Sequence, residues 1–467
     1  MNRPLVIALA VSASALAGCA HVQPREAFPE VSKTVNERTG GKPVWNSGTA
    51  EDAAAENAVR DLLSHPLTAD SATQIALLGN HNVQATYEEL GIAQADLVQA
   101  GLLTNPVVDA LLRFPDGGRG GTNFEISVSQ NFISLLSLPL RKKVAAAQYA
   151  AAKARVAGQI IDLTADVREA YYTLQGAQQM VELQQSIADA TAASAEAAQR
   201  LREAGNITEL QLAGEQALHA QAVLDLATAK AEVTKDREKL TALLGLSSPD
   251  AIKLADRLPD LPAAETGLDD VASLALRQRQ DFGAAVAEVN STYASLGLTQ
   301  RYAWLSGAEV YADAEHELDG GWVAGPGVTV PVPIFDTGAA AVSGASGRVR
   351  QARQRLLALQ TQIASDARAA KADLLVARDR AEYCRNTLLP LRQKITQQTQ
   401  LQYNGMLMSV FQLLQAKRDE VDAARSYVLA LRDYWTARTR LERAVGGRLP
   451  TAATSQPNST TLPTVGH

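Results

Sequence analysis

The sequence predicts a mainly α-helical protein in which long helices pack side by side as coiled coils and two β-hairpins interrupt them. Three observations support this fold class. Apolar residues recur at steps of three and four along 349–388, which is typical of a helix packed against other long helices. Two pairs of short segments read as hairpins. The whole order of elements occurs twice, roughly 200 residues apart, which indicates an internal two-fold repeat.

The composition excludes some classes of protein. The 467 residues are 46% hydrophobic but only 5% aromatic, and the formal net charge is -6. Such a chain favours helix bundling over layered sheet cores. Because the charge balance is mildly acidic and no basic patch with interleaved aromatic residues is present, we expect no nucleic-acid partner.

The first 18 residues have the pattern of a signal peptide. The apolar run Leu5–Leu16 is too short for a membrane-spanning helix. The following Leu16-Ala17-Gly18-Cys19-Ala20 resembles a bacterial lipobox, which implies cleavage after residue 18 and lipid attachment at Cys19. Ala20, rather than aspartate, implies sorting to the outer membrane. The alternative is an ordinary cleaved signal with an incidental cysteine.

The remaining chain divides at proline- and glycine-rich segments. Residues 19–67 are predicted to form a lipidated, extended linker. The first repeat is predicted at 68–248 and the second at 267–447, each with a helix, a hairpin, a long helix and a return helix. A proline-containing linker at 249–266 separates them. Residues 448–467 have low complexity and are predicted to be disordered.

Each repeat is predicted to contain one hairpin. Segments 107–114 and 123–133 flank a glycine-rich turn in the first repeat, and segments 304–312 and 323–334 do so in the second. Each has roughly the 9 to 11 residues that a tilted strand needs to cross a bilayer. Lipid cannot satisfy the edges of an isolated hairpin, so such strands are useful in a membrane only if a barrel closes.

The long helices carry two further predictions. One helix is predicted to run from Pro139 to Gly205, and Pro390 predicts a kink in its counterpart in the second repeat. Cys384 lies on the apolar stripe of that counterpart and is expected to be a small packing residue.

This order of elements resembles the TolC-like outer membrane factor family over residues 68–447. The most specific stretch is Gly325–Gly338, which is similar to the strand-to-helix signature of the family. The lipobox and the short strands are most similar to the lipoprotein subgroup that serves drug and heavy-metal pumps. The resemblance implies a homotrimer whose four strands per chain form one twelve-stranded β-barrel, and whose helices form an α-helical barrel in the periplasm.

The resemblance also implies roles for residues at the helix ends. Gly205, Asn206, Asn404 and Gly405 match the helix-turn tips that dock with a periplasmic adaptor protein.

A periplasmic gate is implied at the start of the second return helix. Gln412 and Gln415 stand where the family often has aspartate, so amide rings are expected to constrict the channel with less cation attraction than acidic rings. Glu209, taken as the equivalent position of the first repeat, is a further candidate for an acidic ring. The alternative is that all three are solvated helix-face residues.

No catalytic or metal-binding motif is present. The six histidines are scattered, and the glycine clusters lack a Gly-Lys-Ser/Thr motif. Met406 and Met408 have thioethers that can bind soft cations, but packing at a helix tip is the preferred interpretation. We expect neither an enzyme, a cofactor nor a metal site.

The sequence therefore predicts a lipid-anchored, trimeric exit channel in the bacterial outer membrane. It would conduct drugs or metals passively, with a periplasmic adaptor and an inner-membrane pump as partners and outer-membrane lipid around it. One alternative is a type I protein-secretion channel. The other is a periplasmic coiled-coil scaffold or adaptor lipoprotein, against which the two hairpins of spanning length argue.

Overall fold

The computed structural model describes residues 22–46, 48, 50–114, 122–305 and 307–449. The predicted signal peptide, Cys19, most of the glycine-rich turn after residue 114 and the last 18 residues of the predicted tail lie outside the described residues.

The first half of the described chain contains α1 (Phe28–Thr39), α2 (Ala50–Ser64), α3 (Ala69–Gly79), α4 (His81–Ala100), β1 (Val107–Arg113), β2 (Asn123–Asn131), α5 (Phe132–Glu203) and α6 (Glu209–Leu244). The second half contains α7 (Val271–Gln278), α8 (Gln280–Tyr302), β3 (Glu309–His316), β4 (Trp322–Thr329), α9 (Ala339–Tyr383), α10 (Leu389–Asn404) and α11 (Val410–Val445). Short 3₁₀ segments lie at Pro249–Ala251 and Ala303–Leu305.

The chain divides into two compact units. The first unit takes the described parts of 1–31, 87–156 and 280–359. The second takes those of 32–86, 157–279 and 360–467.

The first unit contains the four-stranded antiparallel sheet in the order β1-β2-β3-β4. Its strands have 7 to 9 residues, shorter than the predicted segments. The third strand also begins later than predicted, at Glu309, because residues Ala303–Leu305 form a 3₁₀ turn.

The sequence predicted that helix α5 starts at Pro139. The helix in fact begins earlier, at Phe132. Asn131 caps the helix, since its side-chain oxygen accepts the backbone N–H of Ser134 at 2.8 Å. The helix then runs for 72 residues with Pro139 inside it.

The single helix predicted at the start of the first repeat is divided at Asn80, in the second unit, into α3 and α4. The Asn80 side chain donates to the carbonyl of Leu243 at 2.7 Å and accepts the backbone N–H of Asn82 at 2.7 Å. Gly245, with φ +73°, follows α6 and lies so close that a Cβ there would be 2.7 Å from the Asn80 Cα. Only glycine fits both the backbone conformation and this contact.

The sequence predicted an extended linker at 19–67, and this prediction is wrong for the described part of the segment. Helices α1 and α2 lie within it, and Val31, Val35, Trp45 and Leu67 are each at most 4% exposed. The prediction relied on the proline and glycine content of the segment. These residues fall between the helices, and the helices themselves carry apolar residues at helical spacing.

The predicted linker at 249–266 is likewise packed in the second unit. Leu67 forms a parallel bridge with Leu254, and the Gln175 side chain donates to the carbonyls of Ala255 and Arg257 at 2.8 and 2.7 Å. This segment is called the connector below. At the start of the predicted tail, Leu449 is buried at 4% exposure, so ordered structure extends past residue 447.

Pro390 lies just after a π-helical segment, Cys384–Leu388. The backbone N–H of Leu389 bonds the carbonyl of Cys384, five residues earlier. A proline cannot donate a backbone hydrogen bond, and its ring crowds the carbonyl four residues before it, so the wider π turn accommodates Pro390 within the helix. Cys384 itself is buried at 5% exposure.

Candidate functional site

One face of the sheet is almost entirely apolar. Side chains two apart along a strand share a face, as do residues paired directly across neighbouring strands. The observed pairing collects on this face Val108, Ala110, Leu112, Phe124, Ile126, Val128, Val310, Ala312, Ala314, Trp322, Ala324, Pro326 and Val328, with Gln130 and His316 as its polar members. We call it the apolar face.

The opposite face is mainly polar. It carries Asp109, Arg113, Asn123, Glu125, Ser127, Ser129, Asn131, Glu309, Asp313, Glu315 and Thr329, together with Val107, Leu111, Tyr311 and Val323. We call it the polar face.

Arg113 organises one end of the polar face. Glu125 and Glu315 lie directly opposite each other, an arrangement that like charges destabilise. The Arg113 guanidinium lies 2.8 Å from the carboxylate of Glu125 and 3.5 Å from that of Glu315. Asn123 donates a further hydrogen bond to Glu315 at 2.6 Å. The cation and the amide offset the repulsion between the two carboxylates.

Side chains of the apolar face are exposed in the single chain. Val108, Leu112 and Val328 are 61%, 58% and 64% exposed. The outer edges of β1 and β4 have no strand partner among the described residues. A sheet with a bare apolar face and two free edges invites aggregation in water, so it points to an environment or partner that covers both.

Exposed aromatic residues lie at both ends of the strands. Phe114 and Trp322 are at the hairpin end, and Phe132 and Trp304 are at the end where the strands join helices. Aromatic residues concentrate in this way at the two interfaces of a membrane.

The predicted tip residues Gly205 and Asn206 lie between α5 and α6 in the second unit. Gly205 has φ +78°, and the backbone N–H of Asn206 bonds the carbonyl of Leu201 at 2.8 Å, which closes the end of α5. Thr208 then caps α6 together with Gln211.

The second predicted tip differs in detail. Asn404 is the last residue of α10, and Gly405 has an ordinary negative φ. The left-handed position is taken by Met406, with φ +60° and 94% exposure. The sequence predicted the turn but not that a methionine would hold this conformation.

The three predicted gate residues all have local partners. Gln412 accepts the backbone N–H of Ser409 at 2.9 Å in the cap of α11, and Gln415 donates to Asp419 at 2.7 Å. Glu209 accepts a hydrogen bond from Arg202 at 3.1 Å.

The caps also correct one predicted equivalence. Thr208 with Gln211 and Ser409 with Gln412 form the same capping box in the two repeats. The counterpart of Gln412 is therefore Gln211, and Glu209 corresponds to Val410. The pattern Thr-x-x-Gln could have identified Gln211 from the sequence.

Sequence reasoning missed Glu215, which joins three helices near these caps. Its carboxylate accepts a hydrogen bond from Ser194 of α5 at 2.5 Å and lies 3.9 Å from the Arg418 guanidinium of α11. Both charged side chains are largely buried, at 15% and 13% exposure.

A second missed group is the buried ionic cluster around Glu265 in the connector. Arg438 and Tyr434 of α11 both donate hydrogen bonds to its carboxylate. Burial raises the pKa of Tyr434, and the hydrogen bond to Glu265 raises it further. Burial alone would lower the pKa of Arg438, but the carboxylates of Glu265 and Glu442 raise it above its usual value.

Two features are absent from the described residues. No group of three or more His, Cys, Asp or Glu side chains is arranged to hold a metal ion. None of the described helices combines the length and apolar character needed to cross a bilayer.

Comparisons with known proteins agree with the architecture. A family model described as "Outer membrane efflux protein" matches residues 72–246. The cobalt-zinc-cadmium resistance protein CzcC of Cupriavidus metallidurans is 27% identical over 391 residues, covering 82% of this chain and 90% of the relative.

Two solved structures have the same fold. The MtrE outer membrane channel of Neisseria gonorrhoeae, in its open state, matches with a TM-score of 0.67 at 19% identity and covers 83% of this chain and 89% of its own. The CmeC outer membrane channel of Campylobacter jejuni matches with a TM-score of 0.67 at 15% identity, covering 87% and 89%. The repeated order of helices and strands and the two solved structures show that the chain has the fold of these outer membrane channels, and the family model matches its first repeat.

Proposed function

We propose that the chain is the outer-membrane exit channel of a tripartite efflux system and that it carries divalent metal cations out of the cell. The observation that carries this proposal is the two-faced sheet. Its apolar face has the chemistry of a surface in contact with lipid, and its polar face has that of a surface in contact with water.

The free edges of the sheet support a homotrimer. A membrane strand must have its backbone groups satisfied, and four strands cannot close a barrel. Pairing β1 of one copy with β4 of the next would satisfy both edges, and three copies would give one twelve-stranded barrel. The helices of the three copies would then surround a continuous periplasmic passage.

The exposed helix tips supply a surface for a periplasmic adaptor. Leu210, Met406 and Leu407 are 83%, 94% and 79% exposed beside the two turns. Adjacent exposed apolar side chains such as Met406 and Leu407 are typical of protein–protein contacts. The adaptor would contact Gly205, Asn206, Asn404 and Gly405 here and connect the channel to an inner-membrane pump, which supplies the energy.

The gate and the anchor complete the proposal. Gln412 and Gln415, with Glu209 as a further candidate, would line the narrow periplasmic entrance. Lipid on Cys19 would fasten the mature chain to the outer membrane. Neither requires a cofactor or catalysis.

The choice of metal cations rests on one relative. CzcC, which aligns over 90% of its length, is named for resistance to cobalt, zinc and cadmium. Export of proteins by a type I system is the competing function for the same channel.

Channel formation is tested by conductance of the purified, acylated protein across a planar lipid bilayer, together with its mass in detergent. We expect a trimer with discrete conductance steps. A non-conducting monomer or dimer that stays soluble without its lipid would overturn the channel and favour a periplasmic scaffold.

The cargo is tested in cells that lack the chain. Deletion is expected to raise sensitivity to zinc, cobalt and cadmium salts, and the intact gene is expected to restore resistance. Unchanged metal sensitivity combined with loss of a secreted protein from the medium would contradict metal export and support protein secretion.

A further inference from the structure

The start of α5 presents an exposed stripe that changes from apolar to cationic. Exposed positions follow helical spacing, whereas Ser134 and Ser137, at 6% and 4% exposure, are buried. The exposed stripe consists of Phe132, Leu135, Leu136, Pro139, Lys142 and Lys143. Phe132 and Lys143 are eleven positions apart, which corresponds to a rise of about 16 Å along an α-helix. The stripe therefore changes from apolar to cationic within a short distance.

The apolar part of the stripe is wider than one helix. Leu103, which follows α4, is 50% exposed and Trp304, which follows α8, is 46% exposed. The Tyr302 hydroxyl donates to the carbonyl of Leu136 at 3.1 Å, which holds the end of α8 against this part of α5. These residues all lie in the first unit, next to the strands.

The cationic part is fixed by the end of α4. Arg141 donates to the carbonyl of Leu102 at 3.1 Å, and the Lys142 side chain lies against Gly101, where a Cβ would be 2.6 Å from its Cε. Among the described residues, no carboxylate lies within ion-pair distance of Arg141, Lys142 or Lys143. These three positive charges therefore lie next to one another in the chain without an ion-paired carboxylate among the described residues.

We propose that this stripe binds the phosphate headgroups of anionic phospholipids, and this inference rests on the proposed membrane insertion of the sheet. Phe132 directly follows β2, so the stripe continues the apolar face toward the water interface. Lysine and arginine side chains with apolar stems suit that depth, since the stem covers apolar surface while the charge reaches the headgroups. The uncompensated charge favours anionic over zwitterionic lipid.

The test is lipid titration of the purified full-length protein in detergent, followed by native mass spectrometry. Phosphatidylglycerol and phosphatidylcholine with identical acyl chains are the probes. We expect the wild type to bind phosphatidylglycerol more tightly. Lys142→Gln with Lys143→Gln is expected to reduce that affinity by roughly fivefold per charge removed, and to leave phosphatidylcholine binding unchanged.

A charge-matched control is Lys235→Gln with Lys239→Gln, two exposed lysines of α6 in the second unit. It is expected to bind both lipids as the wild type does. Equal affinity of the wild type for both lipids, or an equal effect of the two double variants, would overturn the proposal. Dissociation of the oligomer on substitution of Lys142 and Lys143 would also overturn it, because a second copy of the chain would then cover the stripe.

Bilayer conductance separates the two proposals. A wild-type protein that conducts normally but shows no lipid preference contradicts only the lipid site. A wild-type protein that does not insert into the bilayer would contradict both the channel and the lipid site.

Discussion

The guanidinium of Arg438 donates a hydrogen bond to the carboxylate of Glu265, and these side chains are only 3% and 5% exposed. The pair joins the connector between the repeats to α11. Tyr434, one helical turn earlier, donates to the same carboxylate, and the Trp435 indole N–H donates to the carbonyl of Pro259 at 2.7 Å. One face of α11 thus holds the connector at two points.

Removal of the Glu265 carboxylate is expected to destabilise the protein strongly. Glu265→Ala removes the nearest carboxylate from a buried guanidinium and the acceptor from a buried hydroxyl, so we expect a loss of about 3 to 5 kcal/mol in the free energy of unfolding. Denaturant unfolding followed by tryptophan fluorescence measures it. The control Glu37→Ala removes one partner of the exposed pair Lys33–Glu37 and is expected to cost about 1 kcal/mol at most. Similar losses in the two variants would refute the importance of burial.

The two faces of the sheet are expected to respond oppositely to a charge. Val128→Arg puts a guanidinium on the apolar face near the middle of β2 and is expected to cost about 2 to 4 kcal/mol of membrane insertion. Ser127→Arg, one residue earlier on the polar face, is the matched control and is expected to insert normally. The fraction of chain recovered in the outer membrane is the measurement. If both variants are lost equally, the assignment of the faces is wrong.

Shortening the two amides of the proposed gate is expected to increase single-channel conductance. Gln412→Ala with Gln415→Ala removes bulk and hydrogen-bonding groups from the entrance. Gln412 also caps α11, and loss of a cap costs roughly 1 kcal/mol, so a looser helix end could have a similar effect. Gln211→Ala removes the same cap in the first repeat and serves as the control. A conductance gain of equal size in that control would attribute the change to the cap.

The first turn of α7 is expected to loosen in acid. The Ser273 hydroxyl, and then its backbone N–H, donate hydrogen bonds that lower the pKa of the Asp270 carboxyl. A carboxyl with a lowered pKa stabilises the fold above its unfolded value, near 3.9, and this contribution is lost as the pH falls through the folded value. Hydrogen exchange of 271–278, corrected for intrinsic rates, should therefore accelerate as the pH falls below about 4.

The variant Asp270→Asn provides the control for this acid effect. Asparagine caps helices nearly as well as aspartate but does not titrate in this range. Exchange in the variant is expected to lack the acid-dependent step. A step of the same size in the variant would assign the loosening to another group.

Sequence periodicity predicted the buried stripe of α9 because the pattern is local. Ile363, Ala367 and Leu374 are fully buried, as steps of three and four require. Capping residues such as Thr208 were equally readable, since a cap depends on its next three residues.

Contacts between distant segments could not be predicted in this way. Glu265 and Arg438 are 173 residues apart, and nothing local marks either one as buried. Glu215 and Arg418 are likewise distant in the sequence, and nothing local marks either one as buried. The buried Trp45 was missed for another reason, because the prolines and glycines around it outweighed its apolar character.

The π-helical segment before Pro390 decides which leucine faces the core. In an uninterrupted α-helix, the residue one turn above Cys384 would be Leu388, where the apolar spacing of the sequence places the end of the stripe. The hydrogen bond from Leu389 to Cys384 puts Leu389 there instead, and it packs with Ala423 and Ala424 of α11 at 4% exposure. The π turn thus accommodates one extra residue. The residues of α10 that face α11 are therefore shifted by one position from those that a regular α-helical repeat predicts.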